Sequence, residues 1–143
     1  QGLLQEATAG GQAVLLAGGS QMAAVLALAL ALGTPAERER LARQVAIGTT
    51  AWVAGDAGSD LSRLLALIGD RYGVSCLGLA SGLRFDRCQQ QALRDYERGF
   101  VKEGVGAGGL ALIWQRSGRA PAELAAACDR ACAELLGPPA PGF

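Results

Sequence analysis

The chain has 143 residues, room for one domain and hardly for two. Half of them are apolar, and 13 basic side chains balance 13 acidic ones, so the formal charge is zero. That balance argues against a basic nucleic-acid-binding surface. The lack of any histidine removes His-based triads, His metal sites and His proton shuttles, leaving acid–base work to carboxylate, Lys, Cys or Tyr.

The chain begins at Gln1 without a methionine and enters helical sequence almost at once, as expected of a part of a longer protein. Ala13 to Ala17 is a short apolar run bounded by glycines and reads as a buried strand. Ser20 to Leu32 reads as a helix, with Ser20 as its N-cap and Gly33 as its stop. The pure apolar run inside it, Met22 to Leu32, is eleven residues long. A membrane span needs about twenty, so a buried helix fits better. Without a basic leader or an N-terminal position it is no signal peptide either.

Thr34-Pro35 opens the next helix, with Glu37 and Glu39 early enough to suit the helix dipole. Val45 to Thr50 is a second strand, and Gly55 to Ser59 a loop. Asp60 caps a helix whose apolar residues Leu61, Leu64, Leu65 and Ile68 follow i, i+3, i+4, i+7 spacing, and Gly73 ends it. Val74 to Leu79 is a third strand. Gln89 to Glu97 is a polar helix, followed by helices over Gly106 to Gln115 and Pro121 to Leu136, the last with Pro at its first position. Gly137 to Phe143 reads as a helix stop and, over 138–143, an extended tail at a natural C-terminus.

Strand and helix alternate, which spells an α/β fold: three layers, a mostly parallel sheet and crossover helices, Rossmann-like, in a single domain over 1–137. The strands are apolar throughout, as expected when both faces of a parallel sheet are covered. Three strands make a thin sheet, so further strands are expected from additional sequence or a partner chain, the latter in a homo-oligomer such as a dimer. No pair of the cysteines Cys76, Cys88, Cys128 and Cys132 has C-x-x-C spacing. Reduced thiols packed as small apolar groups in a cytoplasmic protein are expected, and no metal site.

Ligands of open parallel sheets bind beyond the carboxyl ends of the strands. Ala17-Gly18-Gly19-Ser20-Gln21-Met22 is a strand–Gly-Gly–helix turn, where backbone N–H groups and a helix N-terminus suit an anion such as phosphate. It is neither G-x-G-x-x-G nor a Walker A sequence, and a plain tight turn explains it as well. Thr49 and Thr50 offer two hydroxyls at the second strand end. Between Gly99 and Gly109 five glycines fall within eleven positions, with Lys102 and Glu103 among them. Lys102 is the only lysine beside twelve arginines, which points to a place needing a compact ammonium. Glu103, near a glycine-rich helix start, suits a general base. A solvated loop with an incidental ion pair is the alternative.

The stretch Leu15 to Leu28, containing Gly18-Gly19-Ser20-Gln21-Met22, followed far downstream by Tyr96 to Gly109, resembles the nicotinate-nucleotide–dimethylbenzimidazole phosphoribosyltransferase family, in particular its archaeal and cyanobacterial branch. Val101-Lys102-Glu103-Gly104-Val105-Gly106-Ala107-Gly108-Gly109 is the most specific part, and Ile47-Gly48-Thr49-Thr50 falls in the expected order between the two. Members of the family are considerably longer, so the resemblance corresponds to their C-terminal part.

What the resemblance implies is transfer of the phosphoribosyl group of nicotinate mononucleotide to a benzimidazole-type base or adenine. The product is the α-ribazole phosphate of the cobalamin lower ligand, and no cofactor takes part. The family's catalytic glutamate lies in a Glu-Gly-x-Gly-Ala motif, here Glu103-Gly104-Val105-Gly106-Ala107. Glu103 would take the proton of the attacking base. Gly18 and Gly19, with Ser20, Thr49, Thr50, Lys102, Gly104 and Gly106, would hold the nucleotide. The better-studied bacterial branch has Arg and Gly where Phe100 and Lys102 stand, so the phosphate contact moves to Lys102 or Arg98. A nucleotide- or phosphate-binding module without catalysis is the second reading, and a purely structural α/β domain the third.

Overall fold

The computed structural model describes residues 2–56, 58–99 and 106–137. The expected tail at 138–143 and the residues Lys102, Glu103 and Gly104 lie outside them. In chain order the elements are α1 (Gly2–Ala9), β1 (Val14–Ala17), α2 (Ser20–Leu32), α3 (Pro35–Gln44), β2 (Val45–Thr49), α4 (Ala51–Ala54), α5 (Leu61–Tyr72), β3 (Leu77–Ala80), α6 (Gln91–Glu97), α7 (Ala107–Arg116) and α8 (Pro121–Leu136).

The strands pair in parallel in the order β1-β2-β3, with Leu16 beside Ile47 and Ile47 beside Gly78. Alternation along each strand then divides the side chains between two faces. Leu16 and Ile47 face the larger core with Leu26 and Leu30 of α2, Leu41 of α3, and Leu61, Leu65 and Ile68 of α5. Gly78 is on this face, where a Cβ would stand 2.8 Å from Leu65 Cδ1. The other face carries Leu15, Ala17, Ala46, Gly48, Leu77 and Leu79 and receives α7. There Gly48 leaves room for Leu112.

A second core joins α7, α8 and the segment between β3 and α6, through Leu83, Phe85, Cys88, Ala111 and Ala125. The architecture is thus α/β, a three-stranded parallel sheet flanked by helices, consistent with a Rossmann-like fragment. No helix among the described residues is long and apolar enough to cross a membrane.

Local chemistry sets the helix ends. Thr34 and Glu37 form a reciprocal capping box at α3. Asp60 accepts the Arg63 N–H at α5, and Gly73 closes that helix in the left-handed region at φ 69°.

The structure corrects four expectations. Ser20 is the first residue of α2, and Gly19 occupies the cap position. Thr50 does not extend β2; it caps the short helix α4, accepting the Val53 N–H. The third strand starts at Leu77 rather than Val74, because the Val74 N–H bonds to Gly69 O and closes α5. Finally, β3 is not covered on both faces: Leu77 is 51% and Leu79 37% exposed.

Candidate functional site

The carboxyl ends of the strands form a rim built from three chain segments. At β1 the Gly18 N–H donates to Gly48 O over 2.8 Å, which carries the ladder one residue past the strand. Gly19 then turns the chain into α2. A Cβ on Gly19 would stand 2.9 Å from Val53 Cγ1, so only a bare backbone lets this turn close against α4. At β2 the chain leaves through Thr49 and Thr50, both buried, Thr50 to 1% exposure. At β3 the Ser81 N–H donates to Thr49 O over 2.9 Å, binding the third strand end to the second.

Helix α7 arrives at this rim from far along the sequence. Its cap, Gly106, has φ 91°, a left-handed conformation that favours glycine. In the first turn a Cβ on Gly108 would overlap the main chain of Thr49 and Thr50, and a Cβ on Gly109 would overlap Ala17 Cβ. Gly108 and Gly109 are therefore contact surfaces, and they bring the N-terminus of α7 directly onto the ends of β1 and β2.

Gly18, Gly19, Ser20, Thr49, Thr50 and Gly106, all expected to hold the nucleotide, thus share one rim. The remaining expected residues, Lys102, Gly104 and the catalytic Glu103, fall outside the described residues.

The electrostatics of the rim come from the backbone. Helices α3, α4 and α5 carry side-chain caps from Thr34, Thr50 and Asp60. Helices α2 and α7, whose N-termini lie on the rim, have no side-chain cap from their cap residues, as is also true of α6 and α8. The first-turn N–H groups and dipoles of α2 and α7 suit an anion.

Three features escape the sequence. Ser81 is 2% exposed, and its Oγ has no hydrogen-bond partner among the described residues. Its position just after β3 is the only signal, and that signal depends on knowing where β3 ends. Trp52 of α4 stacks on Phe85 at 5.1 Å and meets Tyr96 edge-on at 5.1 Å. Glu97 accepts three hydrogen bonds, from Trp52 Nε1 at 2.7 Å, Phe85 N at 2.8 Å and Arg84 Nη1 at 2.8 Å. This carboxylate fixes the end of α6, just before the Gly99 turn.

Asp129 of α8 supplies the missing cap of α6, accepting the N–H groups of Gln89 and Gln90 at 2.8 and 2.9 Å. Those bonds hold its carboxyl below the usual range. Nearby, a cleft of about 540 Å³ lies between α8 and the segment carrying Arg84 and Arg87. All four cysteines are free thiols. Desolvation pushes Cys76, Cys88 and Cys128 above the ordinary thiol range, which lowers their thiolate content.

No protein-family model matches the chain. Similar proteins are nonetheless found over nearly its whole length. A protein of Prochlorococcus marinus (strain MIT 9313) named a UPF0284 protein is 49% identical over 142 residues, which is 95% of this chain and 35% of that protein. The chain is similar to the UPF0284 proteins. A UPF0284 protein of Parasynechococcus marenigrum (strain WH8102) is 54% identical over 87% of this chain and 33% of its own length. Another, of Gloeobacter violaceus (strain ATCC 29082 / PCC 7421), is 48% identical over 81% of this chain and 30% of its own length. The chain spans about a third of the length of these UPF0284 relatives. Their shared name carries no activity.

Proposed function

We propose that the protein serves transfer of the phosphoribosyl group from nicotinate mononucleotide to a benzimidazole-type base or adenine, as the C-terminal part of a longer cytoplasmic enzyme. The observation that carries this reading is the convergence of the Gly18-Gly19 turn, the Thr49-Thr50 strand end and the uncapped N-terminus of α7 on one rim. A phosphoribosyl group needs such a surface: N–H groups for the phosphate and hydroxyls for the ribose, with glycines allowing close approach. Glu103 precedes Gly106 by three positions, and three residues of chain reach at most about 11 Å.

In the proposed reaction one nitrogen of the accepting base attacks the anomeric carbon while its other nitrogen gives up its proton to Glu103. The bond from the anomeric carbon to nicotinate breaks, and its electron pair leaves with the nicotinate. With dimethylbenzimidazole the product is α-ribazole phosphate, and with adenine it is the corresponding α-linked adenine nucleotide. Lys102 is taken as the counter-ion for the phosphate, with Arg98, which has Asp95 at 3.6 Å, as the alternative. The chain is taken to act as a homodimer, with 1–137 as one domain.

The test is a chimera in which these 143 residues replace the matched third of the Prochlorococcus marinus (strain MIT 9313) relative. It is assayed for nicotinate release with dimethylbenzimidazole or adenine present. Release that depends on the base supports the reading. Nucleotide binding without release would reduce it to a binding module, and neither would leave a structural domain.

A further inference from the structure

At the end of the sheet opposite the rim, a groove of about 610 Å³ runs between α7 and β3. Its floor is apolar: Leu15, Ala46, Leu77 and Leu79 of the sheet, with Leu112 and Ile113 of α7 as the wall. Ile113 is 60% exposed. Parallel sheets are ordinarily covered on both faces. Here α7 packs mainly on β1 and β2 and reaches β3 only in part, leaving Leu77 and Leu79 partly exposed, so the layer has room for one more helix. Arg43, Gln44 and Arg116 stand at one end of the groove. Arg116 has no ion pair among the described residues, and Gln44 Oε1 is buried without a hydrogen-bond partner.

We propose that this groove receives an amphipathic helix from the part of the longer polypeptide that the UPF0284 relatives possess beyond the matched third. Length supports this occupant: about two thirds of those proteins lies outside the region shared with this chain. Charge sets its direction. The carboxyl end of a helix carries partial negative charge, so the helix lies alongside α7 with that end at Arg116, since Arg43 already pairs with Glu39 at 3.3 Å. Its apolar stripe covers Leu77, Leu79 and Ile113, and a side-chain donor near that end meets Gln44 Oε1. The proposal does not depend on the phosphoribosyl reading.

The test compares thiol labelling in two proteins. Leu77→Cys and Ile113→Cys are made in this chain, and cysteines are placed at the aligned positions of the full-length Prochlorococcus marinus (strain MIT 9313) relative. Peptide-resolved mass spectrometry separates them from the four native cysteines. Ala36→Cys, in the exposed first turn of α3 and away from the Arg43–Glu39 ion pair, is the control. Both groove positions should label freely in this chain and at least about tenfold more slowly in the full-length relative, as for groups reached only by local opening. The control should label equally in both.

Equal labelling of the groove positions in the two proteins overturns the proposal. So does protection in this chain that disappears on dilution, since a second copy would then be the occupant. Hydrogen exchange of the unsubstituted proteins guards against variants that fail to fold. The Leu77–Ala80 peptide should exchange more slowly in the relative, and equal exchange counts against the proposal.

Discussion

The two ends of helix α7 are packed in opposite ways. At its N-terminus Gly108 and Gly109 bring backbone against backbone, with no room for a Cβ between the helix and the ends of β1 and β2. At its C-terminus Ile113 and Arg116 stand beside the open groove. The contrast teaches where position is specified. The rim end is fixed to the width of an atom, as the proposed nucleotide site would require. The groove end presents only apolar area, which another element can cover with less exact geometry.

The largest effect is expected at the rim end. Glu103→Gln in the chimera keeps the size and hydrogen-bonding reach of the side chain but cannot accept the proton. General-base catalysis contributes roughly 10²–10⁴-fold, so kcat should fall by about that factor with nucleotide binding nearly unchanged. The loss should shrink at high pH, where the accepting base needs less help. Near-normal turnover would put the base elsewhere.

Gly108→Ala comes next. Its methyl group has to displace the Thr49 main chain, and overpacking of this kind costs about 1–3 kcal/mol. The better helix propensity of Ala returns at most about 1 kcal/mol. Denaturant unfolding should show a net loss of about 1–2 kcal/mol, whereas the same change at Gly2, where nothing lies within 4 Å of a Cβ, should show none. Equal results at both positions would erase the contrast between the tight end of α7 and open surface.

Lys102→Ala in the chimera should weaken nicotinate mononucleotide binding about tenfold, since a charge-assisted hydrogen bond contributes about 1.5–3 kcal/mol. Calorimetric titration measures this, and an unchanged constant would make Lys102 a surface cation. At the groove end Ile113→Ser in the isolated chain should shift stability by less than about 0.5 kcal/mol, as for other exposed positions. A larger loss would mean that the groove is already covered in this chain.

The second core adds a pH dependence. Hydrogen bonds from the Gln89 and Gln90 N–H groups depress the folded-state pKa of Asp129. A depressed carboxyl stabilises the fold above its unfolded pKa of about 3.9 and loses that contribution as pH falls through the lower folded value. The melting temperature should therefore fall below about pH 4, and less steeply in Asp129→Asn. Identical acid profiles for the two proteins would remove this cap from the account.

What the sequence made legible was local. The i, i+4, i+7 spacing of Leu61, Leu65 and Ile68, the Thr34–Glu37 pair and the glycine stops each act within one or two turns, so composition and period reveal them. The rim was legible as separate pieces, Gly18-Gly19, Thr49-Thr50 and Gly106, because strand ends in a parallel sheet share one edge.

What joins the pieces was not legible. The roles of Gly108 and Gly109 depend on contacts with residues some sixty to ninety positions earlier. Glu97 binds Trp52 across 45 positions, and Asp129 caps α6 from 39 positions beyond Gln90. Short α4 escaped because Thr50 reads equally well as a strand end or a cap. Val74 and Cys76 looked like strand residues, but the chain uses Val74 to close α5.

The most direct measurement of the central claim is a nitrogen-15 NMR titration of the 143-residue chain with nicotinate mononucleotide. The account predicts amide shifts at Gly18, Gly19, Thr50, Gly106 and Ala107, with the amides of Leu77 and Ile113 unmoved. Shifts confined to the Arg84–Arg87 cleft, or no shift at any rim amide at saturating nucleotide, would contradict it.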